Sequence, residues 1–268
     1  MVFSSDRDGT SRVYVRAAAD SAWRPLSPRD YSGSWPAPSA DGGLVLFQAV
    51  RNGAFDVHAV ETTGSAPERL TDTPSHEYLP SWAPDGRVTF ASSGLVAGDT
   101  MPDVWIWIME ADGTEQRRLV PEGLGTSAAA TWAPDGSHFL TSRGVEGSTS
   151  LWRVSPEGRW IEPVGDSLSA PDFSPDGTWI AAYVEGATGS RIDILRADGS
   201  ERRTLLDGGW HWYPRWSPDG RWILTCSAVD EEHADLDVLL VPIDGSAPPE
   251  TLVGGPDREC EASWMAER

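Results

Sequence analysis

Three short stretches of this 268-residue chain carry groups able to bind a ligand or move a proton: His76-Glu77-Tyr78, Trp210-His211-Trp212-Tyr213 and Arg258-Glu259-Cys260-Glu261, with Trp35 in a fourth place. Aromatic faces beside carboxylates attract organic cations through the ring quadrupole and through ion pairing. A carboxylate with an imidazole, as in Glu77 with His211, can do general acid–base work where a fold brings the two within reach. Metal chemistry is poorly supplied. Asp6-Arg7-Asp8-Gly9 and the acidic run from Asp230 to Asp235 offer oxygen ligands, but neither follows a calcium-loop pattern, and His76 and His211 stand far apart without zinc-site spacing. A G-x-S-x-G elbow, a P-loop and a G-x-G-x-x-G turn are all absent; the nearest string, Gly165-Asp-Ser-Leu-Ser169, lacks the closing glycine. No cofactor is expected, no metal, and no residue is assigned a catalytic role.

Composition narrows the partners. The chain has 21 basic and 41 acidic residues, a formal charge of −20. Such a surface repels phosphate backbones and anionic lipid heads, so neither a nucleic acid nor a membrane is expected as partner. It favours cations, basic peptides or neutral ligands, and it also confers solubility in its own right. Met1-Val-Phe-Ser-Ser5 runs directly into strand-like sequence without the layout of a signal peptide, and no stretch approaches a membrane span. The expectation is a soluble, cytoplasmic monomer. Cys226 and Cys260 are too few for a disulfide framework in a chain this long, and they read as two buried or semi-buried thiols in a reducing cytosol.

The elements that must position these residues announce themselves by repetition. Pro80-Ser-Trp-Ala-Pro-Asp-Gly86 returns as Ala130-Thr-Trp-Ala-Pro-Asp-Gly136, Pro171-Asp-Phe-Ser-Pro-Asp-Gly177 and Pro214-Arg-Trp-Ser-Pro-Asp-Gly220. A worn copy stands at Pro36-Ala-Pro-Ser-Ala-Asp-Gly42, and a clipped one ends the chain at Ala262-Ser-Trp-Met-Ala-Glu-Arg268. Asp41, Asp85, Asp135, Asp176 and Asp219 thus recur every 41 to 50 residues, a period that signals repeat architecture.

Each repeat spells four short strands. In the clearest copy Pro171–Phe173, Thr178–Tyr183, Gly189–Leu195 and Arg202–Leu206 are strand-like, separated by Ser174-Pro-Asp-Gly177 and Ala197-Asp-Gly199 turns. A four-stranded sheet with two apolar faces cannot stand alone. Radial packing buries both faces of every sheet and leaves only short edges. The fold expected is all-β: one six-bladed β-propeller of four-stranded antiparallel blades. Met1–Ser5 aligns with the second strand at Val88–Ser92, and the missing first strand is supplied by Ala262-Ser-Trp264, so both termini share one blade and close the ring. The blades are placed at 1–30 plus 260–268, 34–72, 78–121, 129–165, 170–207 and 213–254. Trp82, Trp132, Trp216 and Trp264 fill one repeat position and should pack between blades, while Trp107 and Trp152 share a third-strand position with Tyr14 and His58.

This phrase, followed by a strand, a Ser-Asp-Arg-Asp-Gly loop as at Ser5–Gly9 and an Asp-Gly-Ser turn, resembles the TolB-type β-propeller repeat over essentially the whole chain. The resemblance implies the six-bladed fold. It is weaker on function, because the motif consists of packing and turn residues. Members of the family include TolB, which binds partner proteins in the periplasm, and propellers attached to prolyl-oligopeptidase-like hydrolases, sensors and polysaccharide lyases. The lyases use histidine-rich metal sites for which no counterpart is found here. The chain also lacks the export signal and extra N-terminal domain of TolB, so the envelope role is not carried over.

If the Pro-Asp-Gly turns lie on one face of the ring, the segments leading into each first strand lie on the other, around the channel mouth. Candidate ligand-binding residues there are Trp35, His76, Glu77, Tyr78, Trp210, His211, Trp212, Tyr213, Arg258, Glu259 and Glu261. The long loops Ser92–Asp103 and Ala228–Asp235 rise from the same face. The charges could also be solvated loop tips and the tryptophans a plug in the channel. The function read from the sequence is a non-enzymatic binding or scaffold propeller that takes a ligand, with cations among the candidates, or a partner peptide at this mouth. The alternative is a lyase- or hydrolase-type propeller enzyme acting there on a small cationic, glycan or peptide substrate.

Overall fold

The computed structural model describes residues 1–16, 22–50, 53–93, 104–120, 130–145, 148–229 and 235–266. Most of the Ser92–Asp103 loop, residues 230–234 with His233, the lead-in segment 126–129, and Glu267 and Arg268 lie outside them.

Six antiparallel sheets of four strands form the ring. The first contains β1 (Val2–Ser5), β2 (Arg12–Val15) and β3 (Arg24–Pro25), and the second β4 (Ser32–Pro38), β5 (Leu44–Val50), β6 (Phe55–Glu61) and β7 (Glu68–Arg69). The third runs through β8 (His76–Trp82), β9 (Val88–Ser93), β10 (Val104–Met109) and β11 (Arg117–Arg118). The fourth is β12 (Thr131–Trp132), β13 (Phe139–Val145), β14 (Ser148–Val154) and β15 (Ile161–Asp166). The fifth is β16 (Ser169–Phe173), β17 (Trp179–Gly186), β18 (Gly189–Arg196) and β19 (Arg203–Leu206). The sixth is β20 (Trp210–Trp216), β21 (Trp222–Ala228), β22 (Asp237–Pro242) and β23 (Glu250–Val253). The last strand, β24 (Glu259–Ser263), returns to the first sheet and completes it in the order β24-β1-β2-β3. Among the described residues no helix is long and apolar enough to cross a membrane.

The repeated aspartate makes each tight turn. Asp41, Asp85, Asp135, Asp176 and Asp219 each accept, on Oδ1, the backbone N–H two residues on, at 2.9–3.1 Å. The following glycines, Gly42, Gly86, Gly136, Gly177 and Gly220, take positive φ, the reason for Asp-Gly at this place.

Alternation along the strands then fills the spaces between sheets. Val45 and Phe47 face the first blade, where they meet Val2, Val13 and Val15, while Leu46 between them faces the third, with Val88 and Phe90. Comparable clusters occupy the other junctions. Ile106 and Ile108 pack on Trp132 and Phe139, Leu140 and Leu151 on Phe173 and Ile180, Ala181 and Ile194 on Trp216 and Ile223, and Leu224 and Val238 on Phe3 and Ala262. Phe3, Phe47, Phe90 and Phe139 are fully buried, and each such burial stabilises by about 1.5–3 kcal/mol. The tryptophan column does pack between blades: the indole N–H of Trp82 donates to Ala37 O (3.0 Å) and that of Trp264 to Arg215 O (3.4 Å), each on the preceding blade.

The ring closes where β24 pairs antiparallel with β1 through Val2↔Ser263, Ser4↔Cys260 and Ser5↔Glu259. Arg7 adds an ion pair to Glu259 (2.8 Å), and Asp6 accepts the Arg258 N–H (2.8 Å).

One expectation is corrected here. Cys226 and Cys260 are not free thiols; they form a disulfide, with their Cα atoms 5.0 Å apart. Their separation of 34 residues looks unremarkable along the chain. Cys226 lies on β21 of the sixth blade and Cys260 on the closing strand, and the packing of that strand against the sixth blade sets them side by side. Closing a loop of this length by a covalent link limits the unfolded chain by an amount worth about 3–4 kcal/mol. Replacing both cysteines by serine, or reducing the protein, is therefore expected to lower Tm by roughly 5–10 °C. Calorimetry with and without reductant measures this, and peptide mapping without reductant should recover Cys226 linked to Cys260; recovery of two free thiols would refute the pairing.

Candidate functional site

The first strand of each sheet lines the central channel. Residues of β4, β8, β12, β16, β20 and β24 face one common space that includes Ala37, Ser81, Thr131, Asp172, Arg215 and Ser263. Five of these strands carry the same irregularity. Trp35, Leu79, Ala170, Tyr213 and Glu261 adopt left-handed backbone, with φ of 56°, 54°, 44°, 55° and 56°. A register shift marks the place on every one of them. Four of the five precede a proline, namely Pro36, Pro80, Pro171 and Pro214.

Such a conformation costs a non-glycine residue on the order of 1 kcal/mol or more, and it persists only where neighbours fix it. The neighbours are side chains of adjoining blades. The N–H of Trp35 donates to Glu261 Oε2 (2.8 Å), that of Leu79 to Gln48 Oε1 (2.9 Å) and that of Ala170 to Ser142 Oγ (3.2 Å). Three of the five bulges are thus tied to the preceding blade, and each bulge re-aims one side chain toward the channel. The aimed side chains are the part of the repeat that varies.

Two cavities result. The larger, about 430 Å³, opens at the mouth and is walled by Trp35, Tyr78, Tyr183 and Tyr213 above Arg215. Its rings are ordered edge to face: Trp35 meets Tyr213 at 4.6 Å between centroids, and Tyr183 meets Tyr213 at 5.8 Å. Gly144 and Thr149, beside the β13–β14 hairpin, belong to its rim, so the mouth lies on the hairpin face. A second cavity, about 290 Å³, adjoins the closing strand and includes Asp6, Trp212, Tyr213, Arg258, Glu261 and the disulfide. Tyr213 stands between the two.

The sequence-derived candidates therefore divide. Trp35, Tyr78 and Tyr213 share the mouth, and Trp212, Tyr213, Arg258 and Glu261 share the second cavity. Trp210 stacks on Trp212 (5.9 Å) and packs against the disulfide cluster. The remaining four are tied up internally. Glu77, His211 and Glu259 occupy one repeat place, two residues before the bulge, and all three are buried. Each meets a serine on the paired strand: Ser92 Oγ donates to Glu77 (3.1 Å), Ser5 Oγ to Glu259 (3.2 Å), and Ser227 Oγ lies 3.1 Å from His211 Nδ1. His76 Nδ1 accepts the Phe55 N–H (3.2 Å), and its ring packs on Phe55. Glu77 and His211 sit on the third and sixth blades, opposite one another in a ring of six, and so are not brought together as an acid–base pair.

Sequence reading missed Tyr183, Asp172 and Arg215. The last two were legible in principle. They fill a repeat column otherwise held by Ala37, Ser81, Thr131 and Ser263, and a charge in a column of small residues is the departure that marks them.

Electrostatics in this space follow burial. Desolvation pushes the Asp172 carboxyl up to about 6, against the opposing pull of Arg215 and of the Trp216 N–H that donates to it (2.7 Å). Desolvation also raises Glu261, and it holds the Tyr213 hydroxyl well above the usual phenol range. Burial lowers His211 and raises Glu77.

A stability prediction follows for Asp172. Its ordinary value is 3.8, so between that and about 6 the folded protein holds a proton that the unfolded chain has released. Stability from this group is present at the acid end and declines as pH rises through the window, by about 3 kcal/mol for a shift of this size. Asp172→Asn keeps an acceptor for the Trp216 N–H and removes the charge. The variant is expected to melt roughly 5 °C or more above the parent at pH 7.5 and to converge with it near pH 4. Calorimetry at both pH values decides; a constant difference would refute the assignment.

No family model matches the chain. An uncharacterized protein of Agrobacterium fabrum is 29% identical over 199 residues, which are 68% of this chain and 65% of that protein. An uncharacterized peptidase of Bacillus subtilis is 28% identical over 181 residues, 65% of this chain but 25% of the peptidase. The chain thus spans under two thirds of the first relative and a quarter of the second. Among solved structures, that of a putative TolB from Agrobacterium tumefaciens superposes with a TM-score of 0.77 at 19% identity, covering 97% of this chain and 98% of the other. Superposition over 97% of the chain agrees with the architecture built above from residues. The chain thus has the six-bladed β-propeller fold seen in TolB structures.

Proposed function

We propose that this propeller is a non-enzymatic binding module that recognises a partner peptide, or a small ligand of similar chemistry, at the hairpin-face mouth of its channel. One observation carries the reading: the aromatic cavity of about 430 Å³ in which Trp35, Tyr78, Tyr183 and Tyr213 converge above a channel holding Asp172, Arg215 and Glu261. Rigid aromatic walls with few fixed charges suit the capture of one or two side chains. The acidic balance of the chain favours a basic partner over an acidic one.

Catalysis is the poorer reading. The acid–base candidates Glu77 and His211 are engaged in hydrogen bonds between neighbouring strands, and Asp172, whose raised value would suit proton transfer, already accepts the Trp216 N–H. The likeness to a peptidase reaches only a quarter of that protein. Compartment belongs to the same proposal. Disulfides persist where the surroundings oxidise, so Cys226–Cys260 supports such a setting over the cytoplasmic one read from the sequence.

A display library of random dodecapeptides, selected on the immobilised protein, tests the reading. Enriched peptides are expected to bind with micromolar Kd and to lose at least tenfold on Tyr183→Ala, by fluorescence anisotropy. Absence of enrichment, or peptides indifferent to Tyr183, would overturn it.

A further inference from the structure

The second cavity holds a carboxylate prepared for a positive charge that the protein does not itself provide. Glu261 stands on the closing strand with its backbone in the left-handed region. Its Oε2 accepts two hydrogen bonds, from Ser4 Oγ (2.7 Å) and from the Trp35 N–H (2.8 Å). Those bonds fix the carboxyl plane and leave Oε1 for another donor. Among the described residues no basic side chain pairs with Glu261; Arg215 and Arg258 act on it only from longer range. Trp212, Tyr213, Asp6 and the Cys226–Cys260 disulfide line the same cavity. Trp212 is itself steadied by stacking on Trp210 and by contact with the disulfide cluster.

The charges favour a cation. Asp6 and Glu261 outnumber Arg258 in the cavity, and Asp172 and Glu261 outnumber Arg215 in the adjoining channel. A carboxylate held by two donors but lacking a counter-ion gains most from a partner that is both charged and able to donate hydrogen bonds. An aromatic face next to that carboxylate adds cation–π attraction and selects a flat or alkyl-carried cation over a bare hydrated metal ion. A volume of about 290 Å³ admits a guanidinium or ammonium group with its alkyl stem.

We propose that this side cavity is a subsite for a guanidinium or primary ammonium group, the end of an arginine or lysine side chain or of a free alkylamine, with Glu261 as its anchor and Trp212 and Tyr213 as its walls. The inference rests on the binding-module reading and extends it: a peptide lying over Tyr213 would place an apolar residue in the mouth and a basic one in the side cavity.

The test uses the whole oxidised protein with n-butylguanidinium, and with n-butylurea as its uncharged counterpart of the same shape. Calorimetric titration is expected to show one saturable site for n-butylguanidinium and at least tenfold weaker binding of the urea. Glu261→Gln keeps an acceptor for Ser4 and Trp35 and should weaken the guanidinium at least tenfold while leaving the urea unchanged. Trp212→Leu, which keeps the carboxylate, should weaken it severalfold, and it serves should the first variant not fold. Equal binding of the two probes, no saturable binding of either, or full guanidinium binding in both variants would overturn the subsite. Failure here alongside captured peptides would remove the subsite and keep the mouth; guanidinium binding without captured peptides would do the reverse.

Discussion

Everything in this molecule depends on the pairing of β24 with β1. A four-stranded blade has two apolar faces, and in an open row the blades at the two ends would each leave one face uncovered. Closure converts six marginal sheets into one continuous core, because the packing between Leu224, Val238 and Phe3 exists only when the last strand has returned to the first. The ladder is short, and side-chain links reinforce it from both sides: Arg7 with Glu259, Asp6 with the Arg258 N–H, and a disulfide to the neighbouring blade. These links share one place in the ring, which is where a circular fold is most exposed to opening. The pairing itself is the least local contact of the chain, the one with the largest loop-closure cost, and the disulfide steadies it by anchoring β24 to the sixth blade.

The fold could be read from sequence because it is made of repeated local rules. The Asp-Gly turn, the alternation of Val45, Leu46 and Phe47, and the tryptophan column each depend on residues close in the chain, and each is written several times. Even the shared blade was legible, since the first five residues align with a second strand and the last few with a first. The disulfide was not legible for the opposite reason. Cys226 and Cys260 occupy different repeat columns on adjacent blades, and their contact depends on the rotation between blades, which no spacing along the chain encodes.

The site was legible only in part, and the boundary is instructive. Trp35, Tyr78, Trp212, Tyr213 and Glu261 were found because unusual residues interrupt the lead-in segments. Glu77, His211 and Glu259 were found by the same criterion, yet they answer a different need. At these three places, two residues before the bulge, the side chain is turned away from the channel and toward a serine on the next strand, so polarity there serves the joint between strands. Chemistry-bearing residue types at neighbouring positions thus divide by the pleat and the bulge. The bulge is invisible in composition, since tryptophan, leucine, alanine, tyrosine and glutamate all adopt the left-handed conformation here and only the proline that follows most of them hints at it. Asp172 and Arg215 lay hidden by the reverse effect: they sit inside the most regular phrase of the repeat, where the eye reads a motif and passes over the column.

The same bulges explain why the channel can vary without loss of the ring. Three of the five, at Trp35, Leu79 and Ala170, are held through the backbone N–H by a side chain from the blade before, so their conformation is fixed by Glu261, Gln48 and Ser142 and not by the bulged side chain itself. Support and display are thereby assigned to different residues. Glu261 is the exception, because it does both: its Oε2 fixes Trp35 while its own backbone is the bulge of the closing strand. A charge engaging Glu261 would therefore act on the strand that shuts the ring as well as on the wall of the mouth. Binding energy spent there would stabilise the closed circle by simple mass action, which ties recognition to closure through a single carboxylate.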